Sequence, residues 1–457
     1  MTMTEELRTD IKKPADAPGG LLSGGHRLPT LGIVLVITLL AFEAMAVGTV
    51  MPVVADDLDG LALYGWVFSS LLIASMLATV LAGSWIDRIG PTRPLMIGLA
   101  TFVAGLVIAG AAPSMWVLVV GRTVQGIGSG LALVGVYVVI ARVYPDALRP
   151  RVFAALSTAW VVPSLVGPGI GGVIAEHVHW RWVFLGLIPL VIPAALMLVP
   201  ALRSIGPPEE RAPARPGRVR AAFAAALGAG SLLYAVDDLG PLSLPTAALG
   251  LAGLGWGLPR LLPAGALRLR RGVPTTVVLR GVLAGAFFGT DVFIPLALTS
   301  LHGFSASEAG LVLTVGALGW SASSQYQGRS KRPRTFFVFA GAVLVSVGVV
   351  AVSVALQVGG WWAAPAWVIG GAGMGLALSS LSVLVLNQSA KEEQGVNSSA
   401  LQLSDTLGAS LAVGLTGALV TAFGTDRLEL GMGVGAVLLA GIALFGVYAA
   451  RRVEARS

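Results

Sequence analysis

The stretch VPSLVGPGIGGVI, Val162 to Ile174, is apolar along its length but carries two prolines and four glycines. In water each proline inside a helix costs about 3 kcal/mol and each glycine about 1 kcal/mol relative to alanine, so this segment would not form a stable soluble helix. Inside a bilayer the loss of backbone hydrogen bonds is more costly, and a helix persists and bends around proline. The stretch therefore predicts a membrane-spanning helix whose small residues permit close contact with its neighbours.

The composition of the whole chain also indicates a membrane protein. The 457 residues are 55% hydrophobic and only 12% charged, whereas soluble domains carry about 25% charged residues. The chain has no cysteine, which excludes disulfides and thiolate metal sites. His177 and His179 have His-x-His spacing, but no carboxylate–histidine motif accompanies them. We therefore expect neither a metal site nor a cofactor.

Apolar runs between charged breaks predict an all-α integral membrane protein with fourteen spans. A span needs roughly 20 apolar residues. The seventh and eighth runs are weaker and rich in glycine and proline, so twelve crossings with a re-entrant or surface hairpin are the alternative. The predicted spans are 30–54, 62–86, 95–112, 115–140, 152–175, 182–202, 221–236, 239–258, 275–300, 307–327, 335–357, 361–387, 396–423 and 430–450.

The order of these spans predicts two six-helix bundles that are joined by a basic, proline-rich linker with an inserted hairpin. Two halves of six, each built from three-helix inverted repeats, are a recurrent plan of secondary transporters. The predicted boundaries are 1–28 for a disordered cytoplasmic tail, 29–202 for the first bundle, 203–274 for the linker with its hairpin 221–258, 275–450 for the second bundle and 451–457 for a cytoplasmic tail.

The positions of Lys and Arg predict the orientation. With the N-terminus in the cytoplasm, every basic residue except Arg122, Arg181 and Arg427 falls on the cytoplasmic side, as the positive-inside rule requires. We expect a multi-pass protein of the plasma (inner) membrane with both termini in the cytoplasm, and we attribute the net charge of +7 to topology, not to nucleic-acid binding. Acidic residues and tryptophans mark the outer ends: Asp56, Asp57, Asp59, Glu176, Asp237, Asp238, Asp426 and Glu429, with Trp116, Trp180, Trp182, Trp361 and Trp362.

The loop between the second and third spans reads GSWIDRIGPTRP and contains Gly83, Asp87, Arg88, Gly90 and Arg93. Its acid can pair with a guanidinium or cap the following helix, so the loop can act as a charged latch that holds two helices in one state. Positive-inside charge alone would explain the arginines, but neither the acid nor the glycine spacing. The equivalent loop of the second half, YQGRSKRPR, has no acid, so any latch is asymmetric.

On this loop the chain resembles the major facilitator superfamily, whose signature motif is G-x-x-x-D-R-x-G-x-x-R. The fourth span, LVVGRTVQGIGSG, resembles the second motif of that family, with Arg122, Gln125, Gly126 and Gly130 in place. The resemblance covers essentially residues 30 to 450 and rests mainly on the first half of the chain.

The stretch in the fifth span is similar to the family's antiporter motif, G-x-x-x-G-P-x-x-G-G. Gly167, Pro168, Gly171 and Gly172 match, and Pro163 stands where the motif has its first glycine. The resemblance implies a drug:proton antiporter. The HWRWVF segment after this span and the inserted hairpin are similar to the fourteen-helix branch of the family.

Charged residues inside spans are rare and mark function by default. Glu43 and Asp291 lie in mid-span, Arg122 lies in the fourth span, and Asp405 lies further along. A carboxyl that is both buried and close to a guanidinium can gain and lose a proton near physiological pH. Glu43 is our first candidate for the proton-coupling residue and Asp291 the second; the alternative for Glu43 is a static pair with Arg122. We expect a structural role for Asp405.

These features predict a proton-coupled secondary active exporter of amphipathic drug-like molecules rather than an enzyme, with the proton as coupling ion and the lipid bilayer as surroundings. The glycine-rich GPGIGG and GIGSG lack the context of a phosphate loop. A dedicated exporter of one metabolite, antibiotic or lipid is the first alternative, and a non-transporting membrane receptor or assembly partner the second. Candidates for the substrate pocket are Glu43, Met45, Phe287, Phe288 and Asp291.

Overall fold

The computed structural model describes residues 21–22, 24–145, 148–205, 216–238, 240–390, 393–423 and 427–454. Most of the predicted tail 1–28 lies outside these residues, as does Asp426 among the acidic residues of the outer loops. The side chains of residues 150, 154, 157, 204 and 216 are also outside the description.

Within this part of the chain the structure has fifteen α-helices and no β-strand. The helices are α1 (Arg27–Asp57), α2 (Tyr64–Ile89), α3 (Thr92–Gly110), α4 (Met115–Val143), α5 (Arg149–His177), α6 (Arg181–Leu185), α7 (Ile188–Ser204), α8 (Pro216–Asp237), α9 (Ser243–Leu261), α10 (Val273–His302), α11 (Ala306–Arg329), α12 (Arg334–Val358), α13 (Ala363–Gln388), α14 (Gln394–Thr421) and α15 (Leu428–Ala450).

Twelve segments of the described chain are long and apolar enough to cross a membrane, which confirms the predicted all-α membrane fold. α6 and α7 form one of them, because the predicted span 182–202 is interrupted at residues 186–187 and α7 restarts with a proline in its first turn. Proline is favoured there since the first turn has no intrahelical partner for its amide. The two long helices outside this set are α9 and α11.

The proline- and glycine-rich stretch forms a helix, as its sequence predicts. α5 runs without interruption through Pro163 and Pro168. Gly171 and Gly172 lie where other helices approach. A Cβ at Gly171 would lie 3.0 Å from the Cβ of Ala46 in α1, and a Cβ at Gly172 would lie 2.7 Å from the backbone of Ser307 in α11. The absence of side chains therefore allows α5 to contact both halves of the molecule.

Two hydrophobic cores organise the chain into two bundles. Helices α1–α7 share a core that contains the buried rings of Trp180 and Phe184 and that extends to Phe293 of α10 and Val413 of α14. Helices α10–α15 share a second core, in which Trp367 is fully buried. Counting α6 and α7 as one, each bundle has six helices. Trp180 departs from its predicted role as an outer-surface anchor, since it is 2% exposed and donates from Nε1 to Oδ2 of Asp57 at 2.8 Å.

The bundles contact each other along α2 and α14 through small residues. A Cβ at Gly417 would lie 2.8 Å from the Cα of Gly65. One turn further, the hydroxyls of Ser69 and Ser410 donate to each other's backbone carbonyl oxygens at 2.9 and 3.3 Å. These two hydrogen bonds join α2 to α14 through neutral groups.

A second line of contact joins α5 to α11. The carboxylate of Glu176 accepts from the backbone amide of Ser307 at 2.7 Å and from its hydroxyl at 2.9 Å. Below them, a Cβ at Gly310 would lie 2.6 Å from the carbonyl oxygen of Pro168. Both lines of contact lie toward the end of the molecule opposite Arg27 and the end of α15, so the bundles are in contact at that end.

The inserted helices α8 and α9 form an antiparallel hairpin with close backbone contact, since a Cβ at Gly228 would lie 2.7 Å from the amide nitrogen of Leu254. At 22 and 19 residues they are about 33 and 28 Å long. α8 packs against Met76 of α2 and Leu407 of α14. The hairpin thus lies outside both cores but covers the line where α2 meets α14. Its crossing of the membrane stays a prediction.

Candidate functional site

A buried polar network occupies the interior of the first bundle. α1 supplies Glu43, and α4 supplies Arg122 and Gln125. The guanidinium of Arg122 forms an ion pair with Glu43 through Nη1 and donates to Oε1 of Gln125 at 3.1 Å. Gln125 in turn donates to Oε1 of Glu43 at 3.3 Å, and Arg122 Nε donates to the carbonyl oxygen of Val67 in α2 at 3.3 Å. Three helices are therefore joined by one network.

The side chains of this network are buried. Glu43 and Arg122 are each 2% exposed, and Gln125 is fully buried. A charge in apolar surroundings must be paired, and removing one partner of a buried pair typically costs about 3–5 kcal/mol. The opposite charges neutralise each other here, and the amide of Gln125 and the carbonyl of Val67 satisfy further hydrogen-bonding groups. Protonation of Glu43 would leave the guanidinium of Arg122 as a buried charge without its counter-ion.

The second bundle holds its membrane-embedded acid differently. Asp291 lies in the middle of α10, and Trp367 of α13 donates from its indole Nε1 to Oδ1 of Asp291 at 2.9 Å. The side chain is partly exposed, and no cationic group among the described residues pairs with it. A single neutral donor does not compensate a full negative charge. Asp291 is therefore suited to bind a proton or a cationic ligand.

An aromatic cluster lies one turn from Asp291. Phe287 stacks on Trp367 with ring centroids 4.6 Å apart and makes edge contacts with Phe288 and Trp320 at 5.4 Å each. Phe287 and Trp367 are 5% and 0% exposed and belong to the core of the second bundle, so the rings pack against one another beside the carboxylate. The structure brings together three of the predicted pocket residues, Phe287, Phe288 and Asp291. It adds Trp320 and Trp367 to this group. The sequence did not single them out, because a tryptophan in an apolar run has the same pattern in a core or at an interface.

The other two predicted pocket residues lie elsewhere. Glu43 pairs with α4 inside the first bundle, and no hydrogen bond or ion pair joins it to Asp291 within the described residues. Met45 approaches α5, where a Cβ at Gly167 would lie 3.2 Å from its Cβ. The predicted pocket is thus divided between two bundles, and only its second-bundle part forms one cluster.

Asp405 has a partner that the sequence did not reveal. Arg280 of α10 donates from Nε to Oδ1 of Asp405 at 2.6 Å, and from Nη1 to the carbonyl oxygen of Leu378 at 3.1 Å. We counted Arg280 among the cytoplasmic span ends, but it lies two turns inside α10 with a side chain 14% exposed. The positive-inside rule assigns any arginine near a span end to the surface, so the pair was missed.

The acid of the latch loop, Asp87, forms no ion pair among the described residues. α2 ends at Ile89, Gly90 has a φ of +82°, and α3 starts at Thr92 without a side-chain cap. Asp87, Arg88 and Arg93 are exposed. This loop lies at the end opposite the two lines of contact between the bundles. The proposed role of the latch stays a prediction.

Within the residues that the structure describes, no group of three or more His, Asp or Glu side chains is placed to hold a metal ion.

The family model described as Major Facilitator Superfamily matches residues 33–413. In Mycobacterium tuberculosis, an uncharacterised MFS-type transporter is 28% identical over 449 residues, which cover 93% of this chain and 65% of that protein. A probable multidrug-efflux transporter of the same organism is 28% identical over 394 residues, which cover 81% of this chain and 83% of that protein. These relatives are transporters and not enzymes.

Two further similarities agree with this grouping. The multidrug transporter protein MdtP of Bacillus subtilis is 26% identical over 414 residues, which cover 86% of this chain and 74% of that protein. Among solved structures, an auto-inhibited peptide transporter of the POT family is similar, with a TM-score of 0.67, 18% identity, and coverage of 93% of this chain and 97% of that one. This last similarity concerns the fold alone.

Proposed function

The chain belongs to the major facilitator superfamily, and from that premise we propose that it is a proton-coupled exporter of amphipathic drug-like small molecules. Export would proceed by alternating access between the two bundles. The multidrug-efflux names of several relatives support this substrate class. The proposal includes antiport, in which protons move inward as the substrate moves outward.

One observation carries the proposal: the Asp291 carboxylate lies in the middle of the apolar helix α10 beside an aromatic cluster and has no cationic partner among the described residues. In apolar surroundings such a group requires neutralisation. A proton and a cationic substrate would then compete for the same carboxylate. Competition for one site yields exchange, because the substrate binds only after the proton leaves.

Glu43 would act as the second proton-coupling residue, with Arg122 as its charge partner. Protonation of Glu43 would free the guanidinium and weaken the bond network between α1, α2 and α4. Since breaking a buried pair is costly, this step requires a rearrangement of the bundle. Glu43 would therefore link protonation to the conformational change, whereas Asp291 would link it to substrate binding.

We place both termini in the cytoplasm and the protein in the plasma membrane, so the end at which the bundles meet would face outward. A cysteine at Asp238, the only thiol in the chain, tests this orientation together with the crossing of the hairpin. It should react with a membrane-impermeant maleimide on intact cells. Reaction only after permeabilisation would reverse the orientation or remove the hairpin from the membrane.

Transport in proteoliposomes tests the function. Purified protein is given an imposed pH gradient and a panel of lipophilic cations, neutral amphiphiles and anions. The proposal predicts uphill movement of cations coupled to proton flux, and its loss in Asp291→Asn. Proton-coupled transport of a single metabolite would favour the dedicated exporter. Neither flux nor binding across drugs and metabolites would favour the receptor alternative.

A further inference from the structure

A groove of about 530 Å³ lies between the inserted hairpin and the first bundle. α2 and α4 form one wall, with Ile73, Leu77 and Ile127, and α8 forms the other, with Phe223 and Leu227. The groove is separate from the Asp291 cluster, because none of its lining residues belongs to the second bundle. Its volume falls in the range of small-molecule sites, roughly 300–1,000 Å³.

The groove has a polar end. Trp66, a lining residue, donates from Nε1 to Oδ2 of Asp237 at 3.2 Å. Tyr234, also in the lining, donates its hydroxyl to Oδ2 of Asp238 at 3.2 Å. Two aromatic side chains of the groove thus donate hydrogen bonds to two exposed carboxylates at the C-terminal end of α8.

An unsatisfied hydroxyl lies in the same lining. Ser70 is 9% exposed, and its Oγ has no hydrogen-bond partner among the residues that the structure describes. A buried hydroxyl without a partner costs free energy, so a site that contains one is suited to a ligand with a polar group. No lining residue is basic, so the local charge at this end is negative.

We propose that this groove binds an amphiphilic monocation, with the apolar body between α2 and α8 and the cationic head beside Asp237. The carboxylate supplies the opposite charge, and the rings of Trp66 and Tyr234 supply faces that attract a cation. As an entry site for exported molecules the groove rests on the proposed function, whereas binding itself does not.

Two glycines of the hairpin provide a matched pair of variants. Gly230 lines the groove, and a Cβ there meets no atom within 4 Å, so Gly230→Phe fills the groove without displacing the backbone. Gly255 of α9 is equally open but lies outside the lining, so Gly255→Phe adds the same side chain elsewhere on the hairpin. Asp237→Asn removes the charge and keeps the shape.

The experiment uses the full chain in phosphatidylcholine nanodiscs and a photoreactive dodecyltrimethylammonium probe, with peptides mapped by mass spectrometry. We expect labelling of α2 and α8 that falls about ten-fold in Gly230→Phe and in Asp237→Asn, and is unchanged in Gly255→Phe. A neutral dodecyl probe should label these peptides about ten-fold less.

Equal labelling by the neutral and cationic probes would identify the groove as a lipid site and overturn the proposal. Labelling that is insensitive to Gly230→Phe would place the probe elsewhere and would also overturn it. Transport in proteoliposomes separates this result from the proposed function. Groove labelling without any transport refutes export but leaves the site, and transport without groove labelling refutes the site alone.

Discussion

The two bundles neutralise their membrane-embedded carboxylates in different ways. In the first, Glu43 is 2% exposed and paired with Arg122 and Gln125. In the second, Asp291 is partly exposed and receives one hydrogen bond from Trp367. α1 and α10 hold corresponding places as the first helix of each bundle, so the difference lies in the partners and not in the depth of the acid. The paired acid is satisfied without a proton, and the other is not.

Under the proposed function, this difference would let one acid take part in substrate exchange and the other in the conformational change. A carboxylate without an ion-pair partner can exchange a proton for a cation without breaking a salt bridge. A carboxylate inside an ion pair can take a proton only when its partner moves. We therefore propose that substrate exchange takes place in the second bundle and the linked rearrangement in the first.

Substitution of the unpaired acid should give the largest effect. Asp291→Asn keeps the Trp367 hydrogen-bond acceptor but removes the charge, and we expect proton-driven export of cations to fall about 100-fold with normal expression. Glu43→Gln should also abolish proton-coupled export but should retain cation binding. Binding and flux assays on both variants make the distinction. Retained uphill export in Asp291→Asn, or lost binding in Glu43→Gln, would remove the difference between the two acids.

Removal of the arginine from an ion pair in each bundle should give the next largest effect, measured as a loss of unfolding free energy. Arg122→Ala leaves Glu43 buried and uncompensated, so we expect a loss of about 3–5 kcal/mol of unfolding free energy. Arg280→Ala is the matched control, because its pair with Asp405 is 14–15% exposed and so less buried than the Glu43 pair. It should cost distinctly less. Denaturant titration of the purified variants gives both values, and equal losses would refute the special status of the Glu43 pair.

A smaller shift is expected at the contact between the bundles. Gly172→Val places a Cβ 2.7 Å from the backbone of Ser307, and overpacking of this kind costs about 1–3 kcal/mol. Gly169→Val is the control, since no atom lies within 4 Å of its Cβ. Spin labels at Val178 and Val358, which are 65% and 74% exposed, report the distance between the bundles at this end. We expect the distance between the two labels to increase in Gly172→Val and not in Gly169→Val. An unchanged distance in Gly172→Val would show that this contact does not hold the bundles together.

The smallest effect concerns the latch, which only the first bundle possesses. Asp87 is exposed and unpaired among the described residues, so Asp87→Asn should change unfolding free energy by no more than about 0.5 kcal/mol. It should nevertheless slow turnover if the acid pairs in the opposite state. Thermal unfolding and export rates measured together test this, and a parallel loss of binding and stability would indicate misfolding instead.

The sequence predicted helices well because apolar run length determines them, and it found Glu43 and Arg122 because lone charges stand out in apolar spans. It did not identify Arg280, since an arginine two turns from a span end fits the positive-inside rule equally well. Trp367 and Trp320 were missed for a similar reason. A tryptophan in an apolar run has the same local pattern whether it fills a core or donates to a carboxylate.

The hairpin shows the same limit at a larger scale. Its two helices were predicted from short apolar runs, but their position over α2 and α14 depends on contacts such as Met76 with α8, which are distant in sequence. The break between α6 and α7 was likewise not predicted, because the run of apolar residues continues through it. Local composition determines whether a helix forms, and packing between helices determines where it lies.

Proton release on substrate binding tests the central claim most directly. Purified protein in weakly buffered detergent solution is titrated with a lipophilic cation while a pH indicator is followed over a range of starting pH. The account predicts release of roughly one proton per bound cation in the wild type and in Glu43→Gln, and none in Asp291→Asn. Release that persists in Asp291→Asn but disappears in Glu43→Gln would contradict it.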